Sequence, residues 1–203
     1  MKFTTFFKKQ LKAFSLLEVA ISLSIIGVLT LAVIKGQSLL YQARMDKTTS
    51  QIEAVKISIE TFRSTYGQLP GDYNGTELRA SKIGNGDGLI ENNETETFWE
   101  HLEKAGLLTK KQSVPAVGGV FSIALNPATD LRGNWLKLSN ADGSGIMNTK
   151  DAIIFKIKVD GSSDNASGSM RIRGGNGQEN MIESNGNLKD TKQKAFIFYI
   201  EFP

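Results

Sequence analysis

A long apolar run lies near the N-terminus of the chain. Residues 14–34 have the sequence FSLLEVAISLSIIGVLTLAVI, in which Glu18 is the only charged residue. As an α-helix, about 20 such residues cross roughly 30 Å of hydrocarbon, so the run is predicted to be a transmembrane segment. Four lysines and no acidic residue precede it: Lys2, Lys8, Lys9 and Lys12. Because basic flanks stay in the cytoplasm, the N-terminus is predicted to be cytoplasmic, with the rest of the chain outside the inner membrane.

After this run, apolar residues recur at spacings of three and four, the pattern of one face of an amphipathic helix. These positions are Tyr41, Met45, Thr48, Ile52, Val55, Ile59, Phe62 and Tyr66. The positions of the opposite face are polar: Arg44, Asp46, Lys47, Gln51, Glu53, Lys56, Glu60 and Arg63. No proline interrupts residues 15–66, and Gly67 and Pro70 are typical of a helix end. One continuous helix is therefore predicted over residues 14–66.

The remainder, residues 67–203, is predicted to be a globular domain. A polar, glycine-rich connection covers residues 67–93, and a short helix with one apolar side is expected from about Thr95 to Leu108. Alternating apolar residues then predict short strands at Phe121–Leu125, Trp135–Leu138, Ile153–Val159, Met170–Arg173 and Phe196–Phe202. The predicted fold class is α+β: the amphipathic half of the long N-terminal helix packs on a C-terminal antiparallel β-sheet.

Composition excludes several classes of function. The chain has 203 residues and no cysteine, which excludes disulfides, thiol catalysis and Cys-ligated zinc. The formal net charge is +3, but residues 1–13 hold four lysines and no acid, so the remainder carries −1 and no basic face for nucleic acid is expected. His101 is the only histidine and is expected to be an ordinary polar position of the short helix. Without a nucleophile and base around it, we expect no enzymatic activity.

The residues at the start of the apolar run have a specific order. Residues 12–18 are KAFSLLE, and an unbroken apolar helix follows. This order resembles the class III signal of type IV prepilins and type II secretion pseudopilins. The resemblance implies that a prepilin peptidase cuts between Ala13 and Phe14 and methylates the new amino group of Phe14, so that residues 1–13 are a basic leader. Ala13 stands where the family usually has glycine.

Glu18 would be residue five of the processed chain, where the family keeps a glutamate. A carboxylate in an apolar segment costs about 2.5–3.5 kcal/mol at mid-membrane, and a buried carboxylate needs a partner. The resemblance implies that this partner is the free amine of Phe14, in the same or a neighbouring subunit, which would set the register of assembly. The alternative is that Glu18 extends to the lipid headgroups without a partner.

The resemblance implies a structural subunit of a pilus or of a type II secretion pseudopilus. Its partners would be the prepilin peptidase, other pilin-like subunits, a platform protein of the inner membrane and the assembly ATPase. Segment 67–93 would be its αβ-loop. Major pilins commonly close a C-terminal loop with a disulfide, so the lack of cysteine favours a pseudopilin or minor pilin. The alternative function is a membrane-anchored extracytoplasmic binding protein or adhesin that does not polymerise.

The glycine-rich connection also brings oxygen-bearing side chains close together in sequence: Asn85, Asp87, Glu91 and Glu94. Calcium takes several oxygen ligands at close spacing, with a glycine such as Gly88 at the tight turn. Some type II secretion pseudopilins bind calcium, which makes these residues a candidate calcium site. The match to a calcium loop is partial, because its first position would be Ile83. A turn without metal is the alternative.

Overall fold

The predicted long helix is present as α1, which covers 51 residues, Leu16–Tyr66, in the computed structural model. It ends where predicted: Gly67 adopts a φ of +75°, and its N–H donates to the carbonyl oxygen of Arg63 at 2.8 Å. A left-handed conformation costs glycine little, so this residue closes the helix.

The structure describes residues 15–91, 94–165, 168–174 and 197–202, with the backbone alone at Tyr199. The chain divides into two compact units, Met1–Gln42 and Ala43–Pro203, called the N-terminal unit and the globular unit below. The predicted leader and the predicted cleavage position between Ala13 and Phe14 lie outside the described residues.

The first part of α1 exposes its apolar side chains on all sides. From Leu16 to Ile34, every described residue of the N-terminal unit is exposed. Among the described residues, α1 is long and apolar enough to cross a membrane. This part of the chain is therefore compatible with a single-pass membrane anchor, because lipid would cover the apolar side chains that the protein leaves uncovered.

The second part of α1 buries one stripe of residues in the globular unit. The buried positions are Met45, Thr48, Gln51, Ile52, Val55, Ser58, Ile59 and Phe62. The predicted amphipathic face is thus confirmed between Met45 and Phe62. The assignment of Gln51 to the polar face was wrong, because its side chain is buried and forms hydrogen bonds with the backbone of Val114 and Ala116. Its Nε2 donates to the carbonyl oxygen of Val114 at 2.7 Å, and its Oε1 accepts from the N–H of Ala116 at 2.9 Å.

The described residues of the globular unit form two further helices and four strands. The helices are α2 (Thr95–Lys104) and α3 (Thr149–Asp160). The strands are β1 (Val120–Leu125), β2 (Asn134–Ser139), β3 (Met170–Arg173) and β4 (Ile197–Glu201). All three strand pairs are antiparallel, and the order across the sheet is β1-β2-β4-β3. The predicted antiparallel sheet is confirmed; Phe196 of the last predicted strand lies outside the described residues.

One face of the sheet carries most of its apolar residues, and the register explains why. Phe121 pairs with Leu138, Leu138 with Phe198, and Phe198 with Ile172, so these side chains share a face. All four are buried. The ring of Phe155 on α3 packs edge-on against Phe198, with centroids 5.2 Å apart. A row of paired apolar residues therefore runs across the whole sheet and forms the main core.

The prediction of a strand at Ile153–Val159 was wrong, because these residues belong to α3. Asn148 caps the helix: its side chain accepts a hydrogen bond from the N–H of Asp151 at 2.9 Å. Gly161 closes the other end with a φ of +73°. These two caps hold a helix over a segment whose alternating apolar residues also fit a strand, and they outweigh its β-branched composition.

The predicted short helix is present as α2, but it ends at Lys104 rather than near Leu108. Gly106 adopts a φ of +71°, and the N–H of Leu107 donates to the carbonyl oxygen of Leu102 at 3.0 Å. This is the hydrogen-bond pattern of a glycine-terminated helix. Leu108 lies beyond the end of α2 and is buried, although it is not part of the helix.

Candidate functional site

Glu18 lies in the first turn of α1, and its side chain is exposed among apolar neighbours. Leu17, Val19 and Ile21 around it are exposed as well. Within the described part of the chain, the Glu18 carboxylate has no hydrogen bond or ion pair. The amine of Phe14, its predicted partner, lies outside the described residues, so their pairing stays a prediction.

The other polar side chains of the apolar segment form hydrogen bonds within their own helix. The hydroxyls of Ser22, Ser24 and Thr30 donate to the backbone carbonyls four residues earlier, at 2.8, 2.9 and 2.8 Å. Such bonds let hydroxyl groups enter hydrocarbon or a helix bundle at small cost. Among the described residues 16–34, Glu18 is therefore the polar side chain that has no hydrogen-bond partner within the helix.

A second organised region is the described part of the glycine-rich connection, residues 67–91, which is built around the buried carboxylate of Asp72. Oδ1 accepts from the N–H of Gly86 at 2.6 Å and of Asp87 at 3.0 Å, and Oδ2 accepts from the N–H of Gly88 at 2.8 Å. Because three backbone N–H groups donate to this one carboxylate, residues 86–88 are held against Asp72, near the start of the connection. Sequence analysis missed Asp72, although the Asn-Gly-Asp-Gly run marks the turn that receives it.

Side-chain hydrogen bonds link three of the predicted calcium residues, Asn85, Asp87 and Glu94, whereas Glu91 joins them only through its backbone N–H. Glu94 is buried; Oε1 accepts from the N–H of Asn85 and Oε2 from the N–H of Glu91, both at 3.0 Å. Asp87 Oδ1 accepts from the N–H of Leu89 at 2.8 Å. Among the described residues, no group of three or more His, Asp and Glu side chains is close enough to hold a metal ion. Calcium binding stays a prediction, and the ion would compete with these hydrogen bonds.

His101 is fully buried, so its prediction as an ordinary polar position was wrong. Its Nδ1 accepts a hydrogen bond from the N–H of Gly71 at 3.0 Å, which requires the neutral ring with its proton on Nε2. Nε2 lies 3.4 Å from the carbonyl oxygen of Lys82. The ring stacks parallel to Phe62 and meets Tyr73 edge-on, with centroids 6.0 and 5.8 Å away. The histidine ties α1, α2 and the glycine-rich connection together.

We predict that His101 makes the protein less stable in mild acid. Burial lowers the pKa of His101, because the imidazolium is disfavoured in the core. Above pH of about 6.5 the ring is neutral in both the folded and the unfolded chain; below it, the unfolded chain takes up the proton first. The free energy of unfolding should therefore be highest above the pKa that His101 has in the unfolded chain. It should fall by up to about 1.4 kcal/mol per pH unit as the pH drops from there through the pKa of the folded protein.

The measurement is urea unfolding of the full chain in detergent between pH 7 and 5, the interval around the ordinary histidine pKa. Because His101 is the only histidine, His101→Asn removes the titrating group and keeps an acceptor near Gly71. A slope that persists unchanged in this variant would contradict the assignment to His101.

A buried ion pair forms a third polar cluster. Lys156 on α3 pairs with Asp160 one turn later, and its Nζ donates to the carbonyl oxygen of Met170 at 3.0 Å. Asp160 also accepts from the N–H and hydroxyl of Ser169, at 3.2 and 3.0 Å. Lys56 of α1 donates to the same hydroxyl at 2.9 Å. Burial lowers the pKa of Lys56, an effect that the carboxylate of Asp160 opposes.

Comparison of the chain with models of known protein families, with curated proteins and with solved structures finds no match. The fold is α+β, with a long N-terminal helix and a C-terminal antiparallel sheet. The apolar segment and Glu18 are the features of this fold that a soluble domain would not need.

Proposed function

We propose that the chain is a type IV pilin-like structural subunit, a pseudopilin or minor pilin of a pilus or type II secretion pseudopilus. The observation that carries this proposal is the carboxylate of Glu18. It stands in an apolar helix whose other polar groups are internally bonded, four residues after the predicted new N-terminus at Phe14. A simple membrane anchor gains nothing from this carboxylate, whereas a filament gains a register.

The proposed assembly step moves the apolar part of α1 from lipid into a bundle of neighbouring helices. Lipid tails are as apolar as leucine, so this transfer has little hydrophobic driving force. Close packing and the pairing of Glu18 with the Phe14 amine of the same or an adjacent subunit would direct it. In this role the subunit catalyses nothing. The prepilin peptidase, the platform protein and the assembly ATPase act on it.

A second candidate function is a membrane-anchored binding protein or adhesin that does not polymerise. The compact globular unit and its glycine-rich connection, which is folded around Asp72, favour it, because such loops carry binding sites in many proteins. An anchored binding protein does not explain why the charged Glu18 lies in the apolar helix, and for this reason we rank this function second.

Processing is the most direct test of the proposed function. In cells with an active prepilin peptidase, we expect the chain isolated from membranes to begin at Phe14 and to be heavier by one methyl group. Intact mass and N-terminal sequencing measure both. Ala13→Gly should be processed at least as completely, whereas Ala13→Leu should block the small-residue site. A wild-type chain that still begins at Met1 would contradict the proposal, and the anchored binding protein would then be favoured.

A further inference from the structure

Asparagine is followed directly by glycine at Asn74, Asn85, Asn176 and Asn185. This dipeptide is chemically labile, because glycine has no side chain that would hinder attack of its backbone nitrogen on the preceding asparagine. Asn176 and Asn185 lie outside the described residues. Asn74 and Asn85 both belong to the glycine-rich connection, and both are exposed. Exposure therefore does not distinguish these two sites, whereas their hydrogen bonds do.

The reaction needs a free glycine amide and a free asparagine side chain. The glycine nitrogen loses its proton and attacks the side-chain carbonyl carbon, Cγ, of the asparagine. A new C–N bond forms, the bond from Cγ to the side-chain nitrogen breaks, and that nitrogen takes up a proton and leaves as ammonia. Water then opens the succinimide ring at either carbonyl and gives aspartate or isoaspartate. A hydrogen bond from the glycine N–H opposes the first step, because the N–H must leave its acceptor before the nitrogen can attack.

Hydrogen bonds restrain the pair Asn85-Gly86. The N–H of Gly86 donates to the backbone carbonyl oxygen of Asp72 at 3.0 Å and to Oδ1 of the same residue at 2.6 Å. The Asn85 side chain is bound through both of its polar atoms: Oδ1 accepts from the N–H of Asp87 at 2.9 Å, and Nδ2 donates to Oδ2 of Asp87 at 3.1 Å. Asp72 is buried, so water does not readily replace its bonds. Reaction at Asn85 therefore requires local opening of the loop.

The pair Asn74-Gly75 has no such restraint. Within the described part of the chain, the N–H of Gly75 has no hydrogen bond, and neither does the side chain of Asn74. The backbone N–H of Asn74 donates to Oε1 of Gln68 at 3.0 Å, but this N–H takes no part in the reaction. The attacking nitrogen and the carbonyl carbon that it attacks are thus both free in the folded protein.

The fold also favours glycine at position 75. The hydroxyl of Tyr73 donates to the carboxylate of Glu77, and these two side chains lie over Gly75. A Cβ atom at position 75 would overlap both of them, so a larger residue would break the hydrogen bond between Tyr73 and Glu77. The residue that hinders the reaction least is therefore the one that this contact accommodates.

We propose that Asn74 is a modification site of the folded protein, where spontaneous deamidation forms aspartate and isoaspartate, and that Asp72 protects Asn85 from the same reaction. The change adds a carboxylate to the glycine-rich connection near Glu77. In isoaspartate it also adds one backbone atom to the segment between Tyr73 and Glu77. This inference goes beyond the proposed function, because it needs neither a membrane nor a filament.

The test compares the two sites within one chain. The full chain in detergent is kept in warm, mildly alkaline buffer, and samples taken over time are digested and analysed by mass spectrometry. Fragment spectra locate each modified residue by the mass difference between a hydroxyl and an amino group, and enzymatic methylation identifies isoaspartate. We expect Asn74 to react at least about tenfold faster than Asn85, the factor that corresponds to one charge-assisted hydrogen bond.

The unfolded chain is the matched control. In guanidinium chloride both asparagines precede an unrestrained glycine, so we expect them to react at similar rates. If Asn74 led Asn85 by the same factor in the folded and the unfolded chain, neighbouring residues rather than folding would set the rates, and the proposal would be overturned. Equal rates at the two sites in the folded chain would overturn it as well.

Asp72→Ala tests the protective role of the buried carboxylate. It removes the side-chain acceptor of the Gly86 N–H and should abolish most of the difference between Asn85 and Asn74. Asp142→Ala removes an exposed carboxylate that accepts from the N–H of Ser144 in another turn, and should leave the rate at Asn85 unchanged. Tryptophan fluorescence shows whether each variant is folded. An unchanged rate at Asn85 in folded Asp72→Ala protein would overturn the role given to Asp72.

These measurements are independent of the proposed function. None of them depends on processing at Ala13 or on other subunits. Failure here therefore leaves the proposed filament function untouched, and failure of processing leaves this inference untouched.

Discussion

Asp160→Asn is expected to lower the free energy of unfolding by about 3–5 kcal/mol, because it leaves the charge of Lys156 buried without its counter-ion. The side chains of Lys156 and Asp160 are 0% and 2% exposed, so water cannot replace the lost partner. Domains of this size are stable by about 5–15 kcal/mol, and the loss would remove a large share of that margin. Urea unfolding of the full chain in detergent, followed by tryptophan fluorescence, measures the change.

Two variants separate the charge effect from the loss of hydrogen bonds to Ser169. Lys156→Met added to Asp160→Asn removes the orphaned charge and should recover most of the loss, as replaced buried pairs commonly do. Asp46→Asn breaks the pair with Lys158, whose side chains are 59% and 33% exposed, and should cost less than about 1 kcal/mol. A cost for Asp160→Asn as small as that of Asp46→Asn would contradict the role given to burial.

Glu18→Ala is expected to reduce filament assembly at least about tenfold while leaving the subunit in the membrane. Loss of one partner from a desolvated charge pair costs about 2–5 kcal/mol, and about 1.4 kcal/mol already corresponds to a factor of ten. Insertion of α1 into the membrane should become more favourable, because the variant no longer places a carboxylate in hydrocarbon. Counting filaments by electron microscopy and quantifying the subunit in membrane fractions measure the two effects separately.

Ser22→Ala is the matched control for Glu18→Ala. It changes the next polar side chain one turn further along the helix, whose hydroxyl donates to the carbonyl oxygen of Glu18 at 2.8 Å. We expect normal assembly. If Glu18→Ala subunits assembled as well as the wild type, the pairing with Phe14 would not set the register, and the apolar helix would be an anchor.

The elements with one strong periodicity could be predicted from the sequence. The spacing of three and four from Met45 to Phe62, together with Gly67, predicted both the buried face and the end of α1. Repetition over five turns makes such a pattern hard to mistake. The predicted class, α+β, followed from the alternation at β1, β2 and β4 after this helix.

The failure at α3 has a local cause. Ile153, Phe155, Ile157 and Val159 alternate as in a strand, and Lys156 lies between them. Lys156 is in fact buried because Asp160 and Met170 receive its ammonium group. The signals that distinguish the two structures were present at the ends: Asn148 with Asp151 at the start, and Gly161 after the last turn.

The interactions around Asp72 and His101 could not be found from the sequence alone. Asp72 accepts from residues 14 to 16 positions later, and His101 accepts from Gly71, 30 positions earlier. No periodicity links positions so far apart, and a glycine-rich connection gives no hint of which carboxylate it will enclose. Such polar contacts depend on the completed tertiary structure.

The strand order has a consequence for biosynthesis. β4 follows β3 in sequence but lies between β2 and β3, and β3 pairs with β4 alone among the described strands. Until β4 has been made, the nascent chain holds the hairpin of β1 and β2, in which the edge of β2 that β4 will cover is still open, and a separate, unpaired β3. The apolar helix is synthesised long before this point, so the chain would reach the membrane with its sheet still in two pieces. A chain that stops between β3 and β4 would keep those open edges, which are templates for aggregation and targets for proteases.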